Sequence, residues 1–480
     1  MRWTLTQVAG ALGVEPGSGL DPLAWLAGVS IDSRTIRAGE LFIAIHGPRH
    51  NGHDFVAAAL DRGAVAAVVA RSEASGLSQA VRECCFEVDD TFRALQDLGR
   101  GQREAWGGRV AGVTGSVGKT TTKEILAALL GARLRVLKSE GNLNNEYGLP
   151  LMLCRLEEAH EAAVLEMGMS RRGELARLAA VAKPDVGVVT RVTAAHLEFF
   201  SSVDEIAAAK RELIEGLNGR ASVAVLNADD ERVAAFAAVA PGGVITFGVE
   251  KNAEFRAEAI ADRGALGSSF YCVTPTDRTR LELPLPGRHV ISNALAALAA
   301  ASVWGIGVSE AQSVFPGLRP SAMRGELLRF DDGAAILNDC YNSSPASLDA
   351  AIELLAATPD FRRRILAAGE MLELGTSSAE LHRQAGRAAA RHRELDWIVT
   401  VQGDAAHIAE GAVSAGFPRS RTRHFGATAE AAEFLSGFLE PGDLLLVKGS
   451  RGVKMEQIVR AAAARRTLVP STIPESRGLR

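Results

Sequence analysis

The sequence has few cysteines and no long apolar run of the kind that crosses a membrane. Its five cysteines are odd in number and scattered, without a CxxC pair, which argues against a disulfide framework or a zinc cluster. Residues 289–309 form the longest uncharged run, but His289 and Asn293 interrupt it, so we expect a buried helix there. The first residues resemble an amphipathic helix rather than a secretory leader. These features predict a cytoplasmic protein with reduced thiols and no membrane partner.

An excess of basic charge is also missing. The 53 Lys and Arg residues are outnumbered by 57 Asp and Glu residues, which gives a formal net charge of −4. Binding to a nucleic-acid backbone needs the opposite balance, so we expect no nucleic-acid partner, and any nucleotide is expected to be a small molecule. Charged residues at 23% and hydrophobic residues at 47% are average for a soluble globular chain and exclude disorder, collagen and coiled coil.

The length of 480 residues exceeds what one hydrophobic core fills and predicts about three domains. Short apolar runs alternate with segments of helical period, a pattern typical of parallel βαβ construction. The predicted strands are residues 109–115, 162–168, 186–190 and 222–227, and then 334–339, 364–369, 396–401 and 443–449. The Pro- and Gly-marked stretch 315–326 separates the two groups, which indicates two successive α/β domains.

The remaining parts of the chain set the predicted domain limits. Residues 1–105 show only short strands, and the glycine-flanked segment 101–108 is predicted as a joint. The polar, proline-containing residues 466–480 are predicted as a loose tail. The predicted domains are therefore 1–105, 106–318 and 319–465.

A glycine-rich segment at residues 113–124, VTGSVGKTTTKE, follows a predicted strand and opens a predicted helix. In that context, backbone N–H groups and the helix dipole converge on the β- and γ-phosphates of a nucleotide. Lys119 is expected to contact the terminal phosphates, and the hydroxyl of Thr120 or Thr121 to bind Mg²⁺. The strict phosphate-loop pattern fails because Val113 stands where it requires glycine. The predicted phosphate-binding residues are Gly115, Ser116, Gly118, Lys119, Thr120 and Thr121.

A phosphate loop alone is compatible with kinases, GTPases, motor ATPases and ligases. An N-K-x-D guanine-reading motif and a D-x-x-G switch are not found in the order that a GTPase requires. A motor ATPase would need a pair of acids after an apolar strand, whereas the segment at 163–168, AVLEMG, supplies only Glu166. Other residues have to distinguish the remaining classes.

Eleven sequence blocks resemble, in order, those of the Mur ligases, which are ATP-dependent amide-forming enzymes of bacterial cell-wall precursor synthesis. The blocks are residues 32–47, 51–55, 114–124, 139–150, 165–175, 194–200, 207–212, 284–289, 338–348, 369–375 and 447–459. The blocks at 338–348 and 369–375 favour the member that adds D-alanyl-D-alanine. The resemblance implies an α/β fold with a small N-terminal α/β domain for the UDP-precursor, a central P-loop ATPase-like parallel-sheet domain and a C-terminal Rossmann-like domain.

The implied reaction joins UDP-N-acetylmuramoyl-tripeptide to D-alanyl-D-alanine with cleavage of ATP. Making an amide in water is uphill, so ATP must first convert the carboxylate into an acyl phosphate, and cations must screen the two anions. We expect ATP, two magnesium sites and a monomer. Two enzyme alternatives remain open, a sibling ligase that adds a single amino acid and a folylpolyglutamate-type ligase. A non-catalytic nucleotide-binding descendant is a third possibility, which an intact set of catalytic residues opposes.

The resemblance assigns the catalytic roles to four residues. These are Lys119, Glu166, His196 and Lys210. Glu166 ends a predicted strand, so it projects from the carboxyl edge of the sheet, where ligands bind in open α/β folds. By resemblance, Thr120 and Glu166 bind magnesium, and His196 binds the second ion together with a carbamylated Lys210. The alternatives are a surface glutamate, an exposed histidine and a solvated helix lysine.

The resemblance also assigns substrate contacts. The adenine base is expected against Asn293, which is alternatively a helix cap. Arg324 and Asp339 are expected to reach the phosphate and ribose when the C-terminal domain closes. The remaining assignments are Asp32, Ser33 and Arg34 to the uridine nucleotide, Asn144 and Asn145 to the cleft between the first two domains, and Lys448, Ser450 and Arg451 to the dipeptide carboxylate.

Lys448, Ser450 and Arg451 could instead form a structural turn. Four positions depart from the family pattern, Arg191, Val290, Ser343 and Ser344. The family commonly has Asn at position 191, so this arginine changes the surroundings expected for His196. Whether the third residue of the tripeptide is lysine or diaminopimelate is not encoded in these motifs.

Overall fold

The computed structural model describes residues 3–47, 50–194 and 197–469, and these form three α/β units, each built on its own sheet. His196 and residues 470–480 lie outside the described residues. Within the described parts of the chain, no helix combines the length and apolar character needed to cross a membrane.

The N-terminal unit contains four parallel strands in the order β1-β2-β3-β4. The strands are β1 (Gly28–Ser30), β2 (Glu40–Ile43), β3 (Ala66–Ala70) and β4 (Cys85–Val88). The helices are α1 (Leu5–Leu12), α2 (Val56–Asp61), α3 (Arg71–Ala74), α4 (Gln79–Arg82) and α5 (Thr91–Trp106). Buried Leu41 and Phe86 of the sheet pack with Leu95 and Leu98 of α5 in one core. A small parallel sheet with helices thus forms the unit.

Helix α5 extends through most of the segment predicted as a joint. It begins at the Asp90 cap, whose carboxylate accepts from the N–H groups of Phe92 and Arg93, and it ends at Gly107 in the left-handed conformation. Gly101 lies inside the helix because Trp3 packs closely over it, where a Cβ would come within 2.8 Å of the indole ring. The prediction of a joint over 101–108 is therefore wrong for residues 101–106, and only residues 107–108 connect α5 to the next strand.

The central unit has nine strands in the order β13-β12-β11-β10-β9-β8-β5-β7-β6. The strands are β5 (Arg109–Thr114), β6 (Val136–Lys138), β7 (Ala162–Glu166), β8 (Val186–Val189), β9 (Val223–Asn227), β10 (Gly243–Gly248), β11 (Phe255–Asp262), β12 (Ser268–Val273) and β13 (Arg278–Leu283). The pairs from β6 to β11 are parallel, and β12 and β13 extend the sheet antiparallel. The four strands predicted for this part are confirmed as β5, β7, β8 and β9.

Helices cover both faces of the central sheet. They are α6 (Lys119–Gly131), α7 (Gly148–Leu153), α8 (Glu174–Ala182), α9 (Val203–Glu215), α10 (Glu231–Ala234), α11 (His289–Ser302) and α12 (Ala311–Val314). Helices α6 and α11 share one core with Val113 and Val188, and α7, α8 and α9 share the other with Leu165 and Val189. The uncharged run at 289–309 forms the buried helix α11, as predicted.

The C-terminal unit has seven strands in the order β18-β17-β16-β19-β15-β14-β20. The strands are β14 (Glu326–Phe330), β15 (Ala335–Asp339), β16 (Arg363–Gly369), β17 (Trp397–Val401), β18 (Thr422–Phe425), β19 (Asp443–Lys448) and β20 (Leu468–Val469). The helices are α13 (Pro345–Ala357), α14 (Ser378–Ala389), α15 (Ala406–Ser414), α16 (Thr428–Phe438) and α17 (Glu456–Ala463). Helices α13, α14 and α15 cover one face, and α16 and α17 the other. The four predicted strands are confirmed as β15, β16, β17 and β19.

The start of the predicted loose tail belongs to this sheet. Strand β20 pairs antiparallel with β14, and Arg466 donates hydrogen bonds to Asp332, to the Ser436 carbonyl and to the Leu439 carbonyl. Backbone pairing and these side-chain bonds bind the chain to the sheet edge despite its polar composition. The prediction of a loose tail is therefore wrong for residues 466–469, and residues 470–480 lie outside the described range.

Candidate active site

A cleft of about 570 Å³ lies between the central and C-terminal units. The carboxyl ends of the parallel strands β5, β7 and β8 point to it, which is where ligands bind in open α/β sheets. The cleft brings together most of the residues predicted from the sequence. They are Ser116, Gly118, Lys119, Thr120, Thr121, Asn144, Asn145, Glu166, Asn293, Arg324, Asp339, Lys448, Ser450 and Arg451.

The phosphate loop runs from β5 to α6 and contains two glycines with positive φ angles. Gly115 has φ 151° and Gly118 has φ 86°, and Gly118 is the N-cap residue directly before α6. A Cβ at Gly118 would overlap the side-chain oxygen of Asn293 on α11. Glycine is therefore required by both backbone conformation and space. The N–H groups of the first turn of α6 lie before the helical ladder, so they are free to meet an anion.

The end of β8 fixes the loop in place. The Thr190 hydroxyl donates to the Val117 carbonyl at 2.6 Å, and Ser116 N–H donates to the Arg191 carbonyl at 2.7 Å. The Ser116 hydroxyl donates to the Thr193 carbonyl and accepts from Thr193 N–H, both at 3.0 Å. Ser116, predicted as a phosphate contact, here uses its N–H and hydroxyl to bind the segment that follows β8. Arg191 lines the cleft beside it.

Lys119 lies at the base of the loop. Its Nζ donates to the Gly115 carbonyl at 2.8 Å. Burial lowers the pKa of Lys119, and the neighbouring Glu166 carboxylate opposes that shift, while Arg324 adds to it. A half-buried ammonium that lines the cleft, and whose one hydrogen-bond partner among the described residues is a carbonyl, favours a negatively charged ligand there.

Glu166 ends β7 and is held by two side chains. Thr120 Oγ1 donates to its Oε2 at 2.7 Å, and Asn144 Nδ2 donates to its Oε1 at 2.9 Å. The residue is 3% exposed, and its N–H donates to the Ser139 hydroxyl. The alternative of a surface glutamate is therefore wrong. A fixed carboxylate beside a threonine hydroxyl at the phosphate loop offers the hard oxygen ligands that Mg²⁺ prefers.

Lys210 on α9 is 2% exposed. Among the described residues it has no hydrogen-bond or ion-pair partner, and it does not line the cleft. Burial, reinforced by the positive charge of Lys119, lowers the pKa of this lysine well below its usual value. The alternative of a solvated helix lysine is wrong, because a buried amine without a partner is unfavourable as a cation.

The remaining central-unit predictions have mixed outcomes. His196 lies outside the described residues, so its position is not described. Asn293 lies in the interior of α11 and is 6% exposed, which excludes the alternative of a helix cap. Asn144 binds Glu166, whereas the Asn145 side chain accepts from Tyr147 N–H and Gly148 N–H and so fixes the start of α7.

The C-terminal unit supplies the opposite wall of the cleft. Lys448 is 3% exposed, and its Nζ donates to Asp339 Oδ2 at 2.6 Å and to the Asn342 carbonyl at 3.0 Å. The Arg324 guanidinium lies over the Tyr341 ring, 4.1 Å from its centroid. Tyr341 was not predicted as a site residue, although its place in the NDCYNSSP block beside Asp339 is the signal that would have identified it.

The structure places Asp32, Ser33 and Arg34 in the N-terminal unit after β1, and they do not line the cleft. Arg34 donates to both carboxylate oxygens of Asp32, at 2.9 and 2.7 Å. This bidentate hydrogen bonding lowers the pKa of Asp32 to about 2. The residues predicted to bind the uridine nucleotide therefore lie apart from the cleft that contains the phosphate loop.

The oxygen donors of Glu166 and Thr120 suit a magnesium ion that also binds water and phosphate, rather than a metal ion held by protein side chains alone. Among the described residues there is no group of three or more His, Cys, Asp or Glu side chains that could hold a metal ion. Mg²⁺ keeps several waters and binds through one or two carboxylates together with substrate phosphates, so Glu166 and Thr120 beside a phosphate loop satisfy its needs.

Comparisons with known proteins place the whole chain in a family. Family models match in chain order: "Mur ligase family, catalytic domain" over residues 26–103, "Mur ligase middle domain" over 113–301, and "Mur ligase, glutamate ligase domain" over 323–451. The UDP-N-acetylmuramoyl-tripeptide--D-alanyl-D-alanine ligase of Bacillus subtilis is 35% identical over 433 residues, which cover 90% of this chain and 92% of that enzyme.

Solved structures extend the likeness to three dimensions. MurF from Acinetobacter baumannii aligns with a TM-score of 0.87 at 29% identity, covering 97% of this chain and 99% of its own. MurF from Thermotoga maritima, solved in complex with ADP, aligns with a TM-score of 0.77 at 28% identity, covering 91% and 97%. The predicted three-domain α/β fold class is confirmed. From its matched domains, its fold and its relatives, this chain belongs to the Mur ligase family.

Proposed function

We propose that this protein is an ATP-dependent ligase that joins UDP-N-acetylmuramoyl-tripeptide to D-alanyl-D-alanine through an amide bond. The observation that carries the proposal is the single cleft in which the phosphate loop with Lys119 faces Lys448 and Asp339 of the C-terminal unit. The relative that matches nine tenths of the chain bears the name of this dipeptide-adding enzyme. That name favours the reaction over a sibling ligase that adds one amino acid and over a folylpolyglutamate-type ligase.

The nucleotide is expected in the central half of the cleft. N–H groups of the first turn of α6 and the Lys119 ammonium would bind the β- and γ-phosphates. Asn293 lines the cleft beside the phosphate loop and would contact the adenine base. Arg324 and Asp339 approach from the C-terminal unit. Thr120 and Glu166 would hold one magnesium ion. By family resemblance, His196 and a carbamylated Lys210 would hold the second.

The reaction follows from the charges in the cleft. The terminal carboxylate of the tripeptide attacks the γ-phosphorus, ADP leaves, and the acyl phosphate forms. The amine of the dipeptide then attacks the acyl carbon, and the tetrahedral adduct collapses to the amide and inorganic phosphate. Magnesium, when bound, supplies the positive charge that lets two anions approach. Lys119 neutralises the charge that develops on the phosphoryl group, and closure of the two units excludes water.

Substrate positions follow the three units. Asp32, Ser33 and Arg34 are proposed to hold the uridine nucleotide, since an arginine beside a hydroxyl suits a diphosphate. Binding there would require Arg34 to exchange or share its bond to Asp32. Lys448, Ser450 and Arg451 are proposed for the dipeptide carboxylate. The domain limits 1–105, 106–318 and 319–465 and the monomeric state remain predictions.

A direct assay tests the proposal. Purified protein is incubated with magnesium-ATP, UDP-muramoyl tripeptide and either D-alanyl-D-alanine or single amino acids, and phosphate release and product mass are followed. We expect stoichiometric phosphate and a product extended by the dipeptide. Phosphate release with a single amino acid alone would support the sibling ligase instead. Tripeptides ending in lysine or diaminopimelate, compared side by side, identify the third residue.

A further inference from the structure

Residues 370–378 connect β16 to α14 and line the cleft with Leu372, Glu373 and Leu374. We call these residues the 370–378 segment. It contains most of the sequence block at 369–375, to which no role was assigned beyond family membership. The segment contains little regular structure, so its position in the cleft depends on individual hydrogen bonds and on the burial of Met371 and Leu374 in the core of the C-terminal unit.

The segment also contacts the central unit. Glu198 N–H donates to the Glu373 carbonyl at 3.1 Å, and a Cβ at Gly375 would lie 3.4 Å from the Leu197 carbonyl. Gly375 has φ 57°, so the turn at this contact adopts a conformation that favours glycine. The segment therefore joins the C-terminal unit to the part of the central unit that follows the phosphate-loop support at Thr193.

His382 on α14 binds the segment at both ends. Its side chain is fully buried; Nε2 accepts from Met371 N–H at 2.9 Å, and Nδ1 lies 2.8 Å from the Ser378 carbonyl. A carbonyl oxygen only accepts, so Nδ1 carries the proton and Nε2 has a free lone pair. Both hydrogen bonds therefore require the neutral ring. A proton on Nε2 would face the Met371 N–H and break the first bond.

Other hydrogen bonds hold the start of the segment. The Ser450 hydroxyl accepts from Leu372 N–H at 2.9 Å, and Glu370 N–H donates to the Val401 carbonyl at 3.1 Å. The charged groups around His382 are Glu370 in the segment, and Asp404 and His407 at α15. Burial has the largest effect and lowers the pKa of His382, against the two carboxylates. The neutral form is thus the stable one in the folded protein at neutral pH.

We propose that His382 is a positioning residue of the ligation reaction, whose neutral imidazole holds the 370–378 segment in the cleft and against the central unit. The ligation reaction in this proposal rests on the proposed function. That His382 holds the 370–378 segment in place is a property of the fold and does not depend on the reaction. His382 does not itself line the cleft, so its effect is expected to pass through the segment.

Three variants test the proposal. His382→Ala removes both hydrogen bonds, His382→Gln keeps an acceptor near Nε2 and cannot be protonated, and His424→Gln changes an exposed histidine of β18 in the same unit as a matched control. We expect His382→Ala to lower kcat of ligation by about 10- to 100-fold through misplacement of cleft groups, with ATP-analogue affinity in the central unit unchanged. His382→Gln should recover part of the loss, and His424→Gln should show none.

The pH profile supplies a readout that general damage would not produce. Because burial lowers the pKa of His382, its ring becomes protonated only at a pH below the usual histidine range; the segment is then released, so wild-type kcat should fall on the acid side. This acid limb should be absent or displaced in His382→Gln. An identical acid limb in the two proteins would overturn the proposal, as would unchanged kcat in a folded His382→Ala protein.

Hydrogen exchange separates this inference from the proposed function. Peptides covering residues 370–378 should exchange faster in His382→Ala, and in His382→Gln to a smaller degree, with no change in peptides of the phosphate loop. Faster exchange in a protein that ligates no tested substrate would refute the proposed reaction and leave the fixation standing. Equal exchange in wild type and in both variants would refute the fixation, even if ligation were demonstrated. Should His382→Ala not fold, His382→Gln and the pH series decide the matter.

Discussion

Lys119 is the side chain on which nucleotide chemistry in the cleft depends most directly. Its side chain is half-buried, donates to the Gly115 carbonyl and to no other described residue, and contributes no apolar surface to a core. We expect Lys119→Ala to lower kcat by about 10²–10³, because the variant lacks the cation that meets the developing phosphoryl charge. The melting temperature should change little, since the substitution removes a half-buried charge that the fold does not need.

Phosphate release and thermal unfolding measure the two effects separately. Lys251→Ala is the matched control, because Lys251 is half-exposed and pairs only with Glu231 on the surface. Near-normal turnover of Lys119→Ala would contradict the phosphate-loop assignment.

Lys210 gives the second prediction at this scale. A buried amine that has no partner among the described residues is poorly placed as a cation beside a magnesium site, whereas a carbamate would supply an anionic ligand. Lys210→Ala should lose ligation and regain part of it when short carboxylic acids fill the vacant space. Lys138→Ala, which removes an exposed lysine at the end of β6, should keep full ligation activity and should not respond to added carboxylic acids. Full activity of Lys210→Ala without additive would rule out a carbamate.

Sequence reasoning located most cleft residues because each follows a strand or opens a helix. Glu166 and Lys119 are examples, since a βαβ pattern alone places them at the same sheet edge. Tyr341 and His382 were not predicted, because their roles come from contacts between residues distant in the chain or held by backbone groups. The stacking of Arg324 on Tyr341 and the bond from Met371 N–H to His382 do not follow from the sequence pattern, although the block around Asp339 marks Tyr341 as a candidate.

At the scale of elements, the junction of the phosphate loop with α6 depends on Gly118. Its φ of 86° and the adjacent Asn293 oxygen leave no room for a side chain. Gly118→Ala should weaken ATP binding by about 10-fold or more, since a left-handed residue with a Cβ costs about 1–2 kcal/mol before the overlap is counted. Calorimetric titration with a non-hydrolysable ATP analogue measures the effect.

Gly131→Ala, at the other end of α6 with open space around its Cα, serves as the control and should bind ATP normally. Equal affinities for the two variants would contradict the loop geometry.

Strands β16 and β19 are joined at their first residues by an ion pair between Arg363 and Asp443. Asp443 is fully buried and accepts from Arg363 Nε at 2.9 Å and Nη2 at 2.5 Å. Arg363→Ala leaves this carboxylate without its main partner and should lower the free energy of unfolding of the unit by about 3–5 kcal/mol. Fluorescence of Trp397 on β17 follows the denaturant transition of this unit.

The neighbouring Arg362 is the control for that measurement. Its side chain is 57% exposed, so Arg362→Ala should change the unfolding free energy by less than about 1 kcal/mol. A small effect of both substitutions would mean that solvent reaches Asp443.

Element boundaries were the less predictable part of the fold. The strands of both large sheets appear as apolar runs, because parallel strands are buried on both faces. The end of helix α5 and strand β20 were not predicted, because at each place the local composition is typical of a loop but a packing partner stabilises regular structure. Trp3 covers Gly101, and β14 accepts the polar residues after Arg466 as an edge strand.

For the whole molecule, the sequence predicted three units but not how they meet, since relative placement depends on a few contacts across the cleft. The hydrogen bond from Glu198 N–H to the Glu373 carbonyl is of this kind. The connection at residues 318–325, which contains no regular element, is the part of the chain that must adjust if the C-terminal unit closes. Arg324 in this connection also lines the cleft.

Limited proteolysis tests that closure. Trypsin should cut this connection in the free protein after Arg324. The other arginine of the connection, Arg319, precedes Pro320, and trypsin does not cleave a bond before proline. Magnesium-ATP with the UDP-tripeptide should slow this cut several-fold, since Arg324 would then be held between phosphate and Tyr341. Cleavage after the exposed Arg220, in the loop between α9 and β9 at the opposite edge of the central sheet, is the internal reference and should keep its rate. Fragment masses identify each cut. Equal rates at Arg324 with and without saturating ligands would mean that the two units do not close over the nucleotide, and the exclusion of water would then have to come from the substrates themselves.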